Sequence, residues 1–479
     1  MEERTKLKRV LGFPSSYGAA VGLVVSGTAM FSVGNVGAIS GNATFIAAAI
    51  ALIPMMAAAF AFSELTAMIP GGGMISEYTV PALGRFWATF ALLSGYVVLI
   101  AADGGTQLVM GGLAFESLTG GVVPQWTVSL ALLVIIILVN IFGVEFYGRT
   151  EAGATIVMMI LFAILAIAGT AGLGETLGWA TPIPGNGGLL PEGGWPTVFG
   201  SVGVAIWFFI GFEFACPMAE ENKKPFKNIP YGLILGLITI YLIDIIFVFG
   251  AVRYTDLSVM ATSSVPHVDA ATAILGQLGG FTMGILTILA SFTTGNAYIS
   301  ALPRMLYGMA REHLVPRFFS KLHPKYRVPT IGIWFTVCLI LITTIIITIG
   351  GGTSAMILTF IMTACITWLI AYIIAMVDVL VLRVKYPNFP RLWKTPFAWI
   401  TLPIGILGAL YAIYTLTAYL MYAVVSMVVV AAYAIIWNKV HKLPINDKVP
   451  LEKLVTEVRE RSEYLAIWDE EVAAWLKTR

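Results

Sequence analysis

The sequence predicts an all-α membrane protein with about twelve transmembrane helices, and three observations point to it. The first is composition: 58% of the 479 residues are hydrophobic and 11% are charged, against about 45–50% apolar and about 25% charged in soluble domains. The second is the recurrence of long apolar runs. A bilayer core takes about 20 apolar residues per helix, and such runs fall at 17–38, 43–68, 87–112, 125–143, 153–173, 197–217, 230–251, 273–308, 330–349, 355–381, 397–415 and 419–437. The third is charge. With both termini on one side, every Lys and Arg except Arg253 falls on that side, as expected when basic residues near span ends are retained in the cytoplasm. The expectation is a multi-pass protein of the cell membrane with both termini cytoplasmic, divided into a cytosolic N-terminus (1–16), a membrane domain (17–437) and a cytosolic tail (438–479).

Taken in order, the basic N-terminus precedes an apolar run that is long and has no small-residue cleavage pattern, so it reads as a first span and not a signal peptide. That span contains Ser26-Gly27-Thr28-Ala29-Met30-Phe31-Ser32-Val33-Gly34-Asn35, and the sixth contains Phe209-Ile210-Gly211-Phe212-Glu213. Glycine and polar groups at mid-depth mark interrupted helices, whose free backbone groups line a cavity. The two interrupted spans are five apart, as a five-plus-five inverted repeat with broken helices 1 and 6 demands; the same glycines would also serve close helix packing. The connection 174–196 is rich in Gly and Pro and reads as an irregular extracellular cap. In the tail, Leu451, Leu454, Val455, Val458, Leu465, Trp468, Val472 and Trp475 recur at helical spacing among charges, predicting an amphipathic cytosolic helix that docks on the protein's inner face or the membrane surface, with a regulatory role as the alternative.

Several function classes are excluded. A net charge of +2 offers nothing to nucleic acid, and Cys216, Cys338 and Cys365 are isolated, without the spacing of a metal or redox site. No Gly-Lys-[Ser/Thr] phosphate loop is present, so a nucleotide-driven pump is out. The four histidines (His267, His313, His323, His441) fall in connections or the tail and form no nucleophile–base constellation, so the chain does not read as an enzyme. Paired interruptions favour alternating access over a pore. One residue stands out: Asp103, midway through the third span. An ionisable group there costs at least about 2.5 kcal/mol on insertion scales and should face the bundle interior with a partner. It suits a protonated amine; proton sharing or a helix-packing hydrogen bond are the other readings.

Several blocks, in order, resemble the amino acid–polyamine–organocation family: Ser63-Glu64-Leu65 with Pro70-Gly71-Gly72-Gly73 and Glu77-Tyr78; Asn140 with Gly143-Val144; Gly211-Phe212-Glu213 with Ala219-Glu220-Glu221-Asn222; and Pro303-Arg304 through Arg311-Glu312. The resemblance implies the leucine-transporter fold and a secondary active transporter of amino acids or related organic amines. It implies substrate contacts from Gly27, Thr28, Phe31, Ser32, Asp103, Trp207, Ile210, Gly211 and Glu213, with Tyr298 or Trp207 as an aromatic face for an alkylammonium. Glu213 would couple the pocket to gate movement. The family's Gly-Ser-Gly-like carboxylate cradle corresponds here to Phe31-Ser32-Val33, with Gly only at 34; this departure, with Asp103, leans the expectation towards cationic amines or polyamines. A neutral amino acid transporter and a transport-deficient sensor of amines are the alternatives. In proton-coupled relatives a span-five lysine occupies the position of Met158, so a lysine-dependent proton mechanism is not expected. Thr293 and Thr294 would offer oxygens to Na⁺, or bond to helix carbonyls; Na⁺, or H⁺ carried on Asp103 or Glu213, would be the coupling ion, exchange without an ion is the alternative, and no other cofactor is expected. The expected partners are the small amine or amino acid and the lipid bilayer.

Overall fold

In the computed structural model, which describes residues 11–141, 144–326, 328–444, 448–461 and 470, the first membrane crossing is two helices. Helix α1 (Phe13–Val24) ends at Val25, which leaves helical geometry (φ −75°, ψ 73°), and α2 (Gly27–Ser40) starts behind Ser26. The Ser26 side chain accepts the Ala29 N–H at 3.0 Å, the capping bond for which serine is favoured at a helix start. The break therefore occupies Val25–Ser26, and Met30–Asn35, expected within an interrupted stretch, are regular helix.

Helix α3 (Thr44–Met68) follows, then α4 (Ile75–Ala82) and α5 (Arg85–Leu92), which passes through a π turn at Leu93–Val97 into α6 (Val98–Leu118). Helices α7 (Gln125–Ile141) and α8 (Val144–Thr170) and the short α9 (Leu173–Thr176) complete the first half. The sixth crossing is fragmented into α10 (Trp195–Gly200), α11 (Val202–Ala205), a 3-10 turn at Ile206–Phe208, a bend at Phe209-Ile210-Gly211 and a 3-10 helix at Phe212–Glu221. Helices α12 (Pro225–Tyr254), α13 (Leu257–Thr262) and α14 (Pro266–Arg311) come next, then α15 (Thr330–Ile349), α16 (Ser354–Lys385), α17 (Ala398–Thr415), α18 (Leu420–Val440) and α19 (Leu451–Arg461). Each five-crossing half thus opens on a broken helix, the arrangement of the inverted repeat. The eighth span, expected at 273–308, starts earlier: α14 bends at Leu275 and Gly276 (φ +59°), so Pro266–Ile274 forms a separate arm before the crossing itself.

Burial separates the layers. The fragmented sixth crossing is enclosed from Ile206 to Asn222, whereas α18 exposes Val425, Val428 and Val429 as a lipid-facing surface. Helix α3 packs through a run of buried alanines (Ala47, Ala48, Ala51, Ala57, Ala58, Ala61) against α12, α16 and α17, since small residues let membrane helices approach closely.

The basic face is laced shut by ion pairs. Arg311 reaches Glu220 at 3.1 Å and Glu77 at 3.6 Å, Arg304 reaches Glu221 at 3.4 Å, and Glu220 also accepts the Gly72 N–H at 2.7 Å. Leu11 bridges to the far end of the sixth crossing through bonds with Glu221 and Lys223. Buried Glu64 receives Arg383 (2.9 and 2.6 Å), Arg391 (3.1 Å) and the Thr395 N–H (2.8 Å). Removing one partner of a buried ionic cluster costs about 3–5 kcal/mol because the remaining charges stay buried unpaired. Glu64→Ala is accordingly expected to lower the melting temperature of the detergent-purified protein clearly, and a melting temperature equal to wild type would show the cluster to be energetically idle.

The tail helix α19 buries Leu451, Leu454 and Val455 against the protein, with the Leu451 N–H at 3.5 Å from the Tyr386 hydroxyl. Of the amphipathic stripe these three are described; the Val458 side chain, Leu465, Trp468, Val472 and Trp475 lie outside the described residues, as do Gly143 and the basic N-terminus. On the opposite face the 174–196 connection is irregular beyond α9 and pinned down: Asn186 donates to Val252 and Thr255 carbonyls, and Asn42 donates to Asn186 and Gly188 carbonyls.

Candidate functional site

The break in the first crossing lies against α6, α14 and the sixth crossing. Asp103 and Gln107 are one turn apart on α6 and share a face; Gln107 Nε2 donates to Asp103 Oδ2 at 2.8 Å. Tyr298 of α14 donates its hydroxyl to the same oxygen at 2.6 Å, and Thr28 donates its hydroxyl to Asp103 Oδ1 at 3.2 Å. The Thr28 oxygen in turn accepts Gln107 Nε2 at 2.5 Å and Trp207 Nε1 at 3.0 Å, and the Thr28 N–H donates to Gln107 Oε1 at 3.3 Å. Asp103, Thr28, Gln107, Trp207 and Tyr298 are all buried. Every partner of Asp103 in this network is neutral, and an ionised carboxylate accepts about four bonds. Oδ1 receives one donor and Oδ2 two, so acceptor capacity remains on the Oδ1 side.

Around this network stands an aromatic wall. Trp207 meets Trp368 of α16 edge-on at 6.1 Å between centroids; Phe214 meets Trp368 and Tyr298, both at 5.6 Å, and Tyr96 at 5.7 Å. Glu213 lies behind the wall and belongs to a different set of bonds. It accepts Trp368 Nε1 at 2.6 Å and the Tyr372 hydroxyl, and that hydroxyl also receives the Gly211 N–H at 3.1 Å. The bend of the sixth crossing is thereby fastened to α16. Gly211 is required for that bend: its φ is +110°, and a Cβ there would lie 1.9 Å from Leu23 Cδ2.

The structure brings Thr28, Asp103, Trp207 and Tyr298 together, with Gly27 adjoining them. Ile210 and Gly211 form the bend, and Glu213 is tied to α16 instead of to Asp103. Phe31 and Ser32 lie farther along α2, buried, with the Ser32 hydroxyl lacking a partner. The residues that follow the break are Ser26-Gly27-Thr28, five residues ahead of Phe31-Ser32-Val33, the stretch expected to correspond to the carboxylate cradle. A helix start favours an anion; at the N-terminus of α2 the Thr28 N–H is taken by Gln107 Oε1 and the Ala29 N–H by Ser26 Oγ, so Gly27 is the position left to approach one. Gln107, Trp368 and Tyr372 were missed; only Gln107 carried a signal, its place one turn after Asp103.

Thr293 donates to the Gly22 carbonyl at 2.8 Å and to the Ala290 carbonyl at 3.0 Å, and Thr294 donates to the Leu23 carbonyl at 3.2 Å. These hydroxyls and carbonyls satisfy one another and tie α14 to the end of α1. As arranged they form a hydrogen-bonded seam between α14 and α1.

Residues 11–438 match the family model described as amino acid permease. Over most of its length the chain is similar to two proteins of Bacillus subtilis (strain 168). It is 25% identical to the branched-chain amino acid permease BcaP, covering 89% of this chain and 93% of that protein. It is 24% identical to the glutamate/serine transporter AimA, covering 85% and 78%. A solved structure of MHP1, a nucleobase-cation-symport-1 family transporter, in a closed conformation with bromovinylhydantoin bound, superposes with a TM-score of 0.56 at 15% identity, covering 95% of this chain and 99% of that one; it shares the fold. With twelve crossings, two matched breaks and a family match along nearly its whole length, this chain belongs to the amino acid permeases of the amino acid–polyamine–organocation family and has the leucine-transporter fold.

Proposed function

We propose that the protein carries amino acids or related organic amines across the cell membrane by alternating access, with its basic face in the cytoplasm, and that Asp103 receives the cationic group of the substrate. The observation that carries this reading is a buried carboxylate beside the broken first helix with only neutral partners. A substrate ammonium entering at Oδ1 supplies the missing charge, and Trp207 and Tyr298 offer it aromatic faces worth about 0.5–2 kcal/mol by cation–π attraction. The start of α2 at Gly27 suits a carboxylate, so a substrate bearing both groups uses the site best. With the cradle read at the start of α2, the preference for amines lacking a carboxylate rests on Asp103 alone. Glu213, fastened to Trp368 and Tyr372, would pass movement of the sixth-crossing bend to α16.

The test is thermal stabilisation of the detergent-purified protein by a panel of amino acids, polyamines and simple amines, in Na⁺ or choline. A ligand that binds only the folded state at about 100 times its Kd adds about 2.7 kcal/mol. Stabilisation by amino acids, cationic ones most strongly, is the expected result. Stabilisation by polyamines alone would remove the carboxylate subsite from the proposal, and stabilisation that needs Na⁺ would return Thr293 and Thr294 to the account as ion ligands. Flux into proteoliposomes then separates a carrier from a sensor with the same pocket.

A further inference from the structure

The substrate network leaves a second buried carboxylate unused. Glu151 of α8 is 2% exposed. Its Oε2 accepts Asn296 Nδ2 of α14 at 2.7 Å, and Asn296 is held from behind by Asn140 Nδ2 of α7 at 2.8 Å. Its Oε1 has no partner, and neither does the hydroxyl of Thr155 one turn along the same helix face. Both oxygens are turned towards Gly22 in the half-helix α1: a Cβ on Gly22 would meet Thr155 Oγ1 at 2.4 Å and Glu151 Oε1 at 2.8 Å. The packing is too close to admit a hydrated cation, and no described basic side chain forms an ion pair with Glu151.

A buried carboxylate with one orphaned oxygen and no counter-charge is costly when ionised. Protonation at Oε1 removes the charge and leaves Oε2 its bond from Asn296. We propose that Glu151 is a proton-binding site linked to the position of α1: the closed packing of α1 on α8 takes the neutral acid, and withdrawal of α1 from the basic face exposes the carboxyl to water. The O–H bond at Oε1 then breaks, water takes the proton, and the carboxylate remains. This rests on the alternating-access reading, in which α1 moves. Among the described residues, no hydrogen bond or ion pair joins Glu151 to a titratable group of the other helices packed on α8. Helix α1 presents Gly18 and Gly22 there, while its Tyr17 is turned to Thr239 of α12. From α14 and α7 come the amides of Asn296 and Asn140. The acidic residue of α12, Asp244, lies towards the stretch that meets Phe162 and Gly169, and Glu175 of α9 pairs with Arg253 at the far face.

The test needs neither substrate nor flux. The three native cysteines are replaced by alanine, Ala19→Cys is placed on the buried face of α1, and its alkylation by a maleimide is timed in detergent, with and without Glu151→Gln. Dividing the two rates at each pH cancels the titration of the thiol itself. The expected result is a ratio that rises about tenfold or more in favour of the Glu151 protein between about pH 5.5 and about pH 8.5, because ionisation loosens the closed packing as pH rises. A ratio that stays flat overturns the proposal. Should Glu151→Gln fail to fold, Asn296→Leu replaces it: loss of a donor that favours the ionised form moves the rise in labelling to higher pH, and an unmoved profile overturns the proposal equally. A failed substrate panel leaves this measurement intact, so the two readings fail separately.

Discussion

Asp103→Asn is expected to lower affinity for ammonium-bearing substrates by about 100-fold while leaving the protein folded. Truncating one partner of a buried, hydrogen-bonded charge pair costs about 2–5 kcal/mol, and each 1.4 kcal/mol is about tenfold. The fold should survive because asparagine has nearly the same shape. Its amide oxygen, placed at the Oδ2 position, still accepts Tyr298 and Gln107, and the substitution removes a buried charge instead of stranding one. Competition binding measures the affinity, and the melting temperature of the ligand-free protein reports the fold. Tyr298→Phe, which removes one neutral donor to the carboxylate, should cost affinity much less. Equal affinity in Asp103→Asn and wild type would take Asp103 out of the binding site and leave it a packing residue of α6.

The architecture was legible because hydropathy and charge act over whole segments. Twenty apolar residues between polar ends define a crossing whatever their neighbours are, and the basic residues mark one face. The breaks were legible in existence but only partly in position. Gly34-Asn35 looked like an interruption, yet Gly34 lies inside α2, where a Cβ would meet Pro266 at 2.8 Å: the glycine permits close packing. The true break was signalled by Ser26, a helix-capping residue in the middle of an apolar span, and a capping bond is three residues long where a hydropathy window is about 20. Trp368 and Tyr372 were illegible for another reason. They sit in an apolar span among other apolar residues, and only the bend at Gly211, far off in sequence, gives their polar atoms a purpose. Glu151 was hidden by its neighbourhood, since a Glu close to Arg149 at the start of a span reads as part of a solvated connection; its burial is a property of α1 and α14 closing over it.

Gly211→Ala is expected to cost about 2–6 kcal/mol of stability and to abolish transport in whatever protein still folds. Two terms add. A residue with a Cβ held at φ +110° is strained by about 1–3 kcal/mol, and overpacking a filled core costs about 1–3 kcal/mol more. The second term cannot relax cheaply here. The new methyl would sit 1.9 Å from Leu23 Cδ2 and 3.3 Å from Trp368 Cη2; Leu23 is held by Thr294 on its carbonyl, and Trp368 is held by Glu213. Moving Leu23 displaces the end of α1 beside its break, and moving Trp368 loosens the bond that fastens Glu213 to α16. One methyl group therefore disturbs both broken crossings at the level where they meet. Gly153→Ala is the control: its Cβ would meet nothing within 4 Å, and alanine in a helix is favoured over glycine by about 1 kcal/mol, so wild-type stability or better is expected. Size-exclusion profiles after heating measure stability, and counterflow in proteoliposomes measures transport. Normal transport by Gly211→Ala would mean that the bend tolerates a residue in ordinary helical geometry, and the sixth-crossing break would then not be the hinge that links the substrate site to α16.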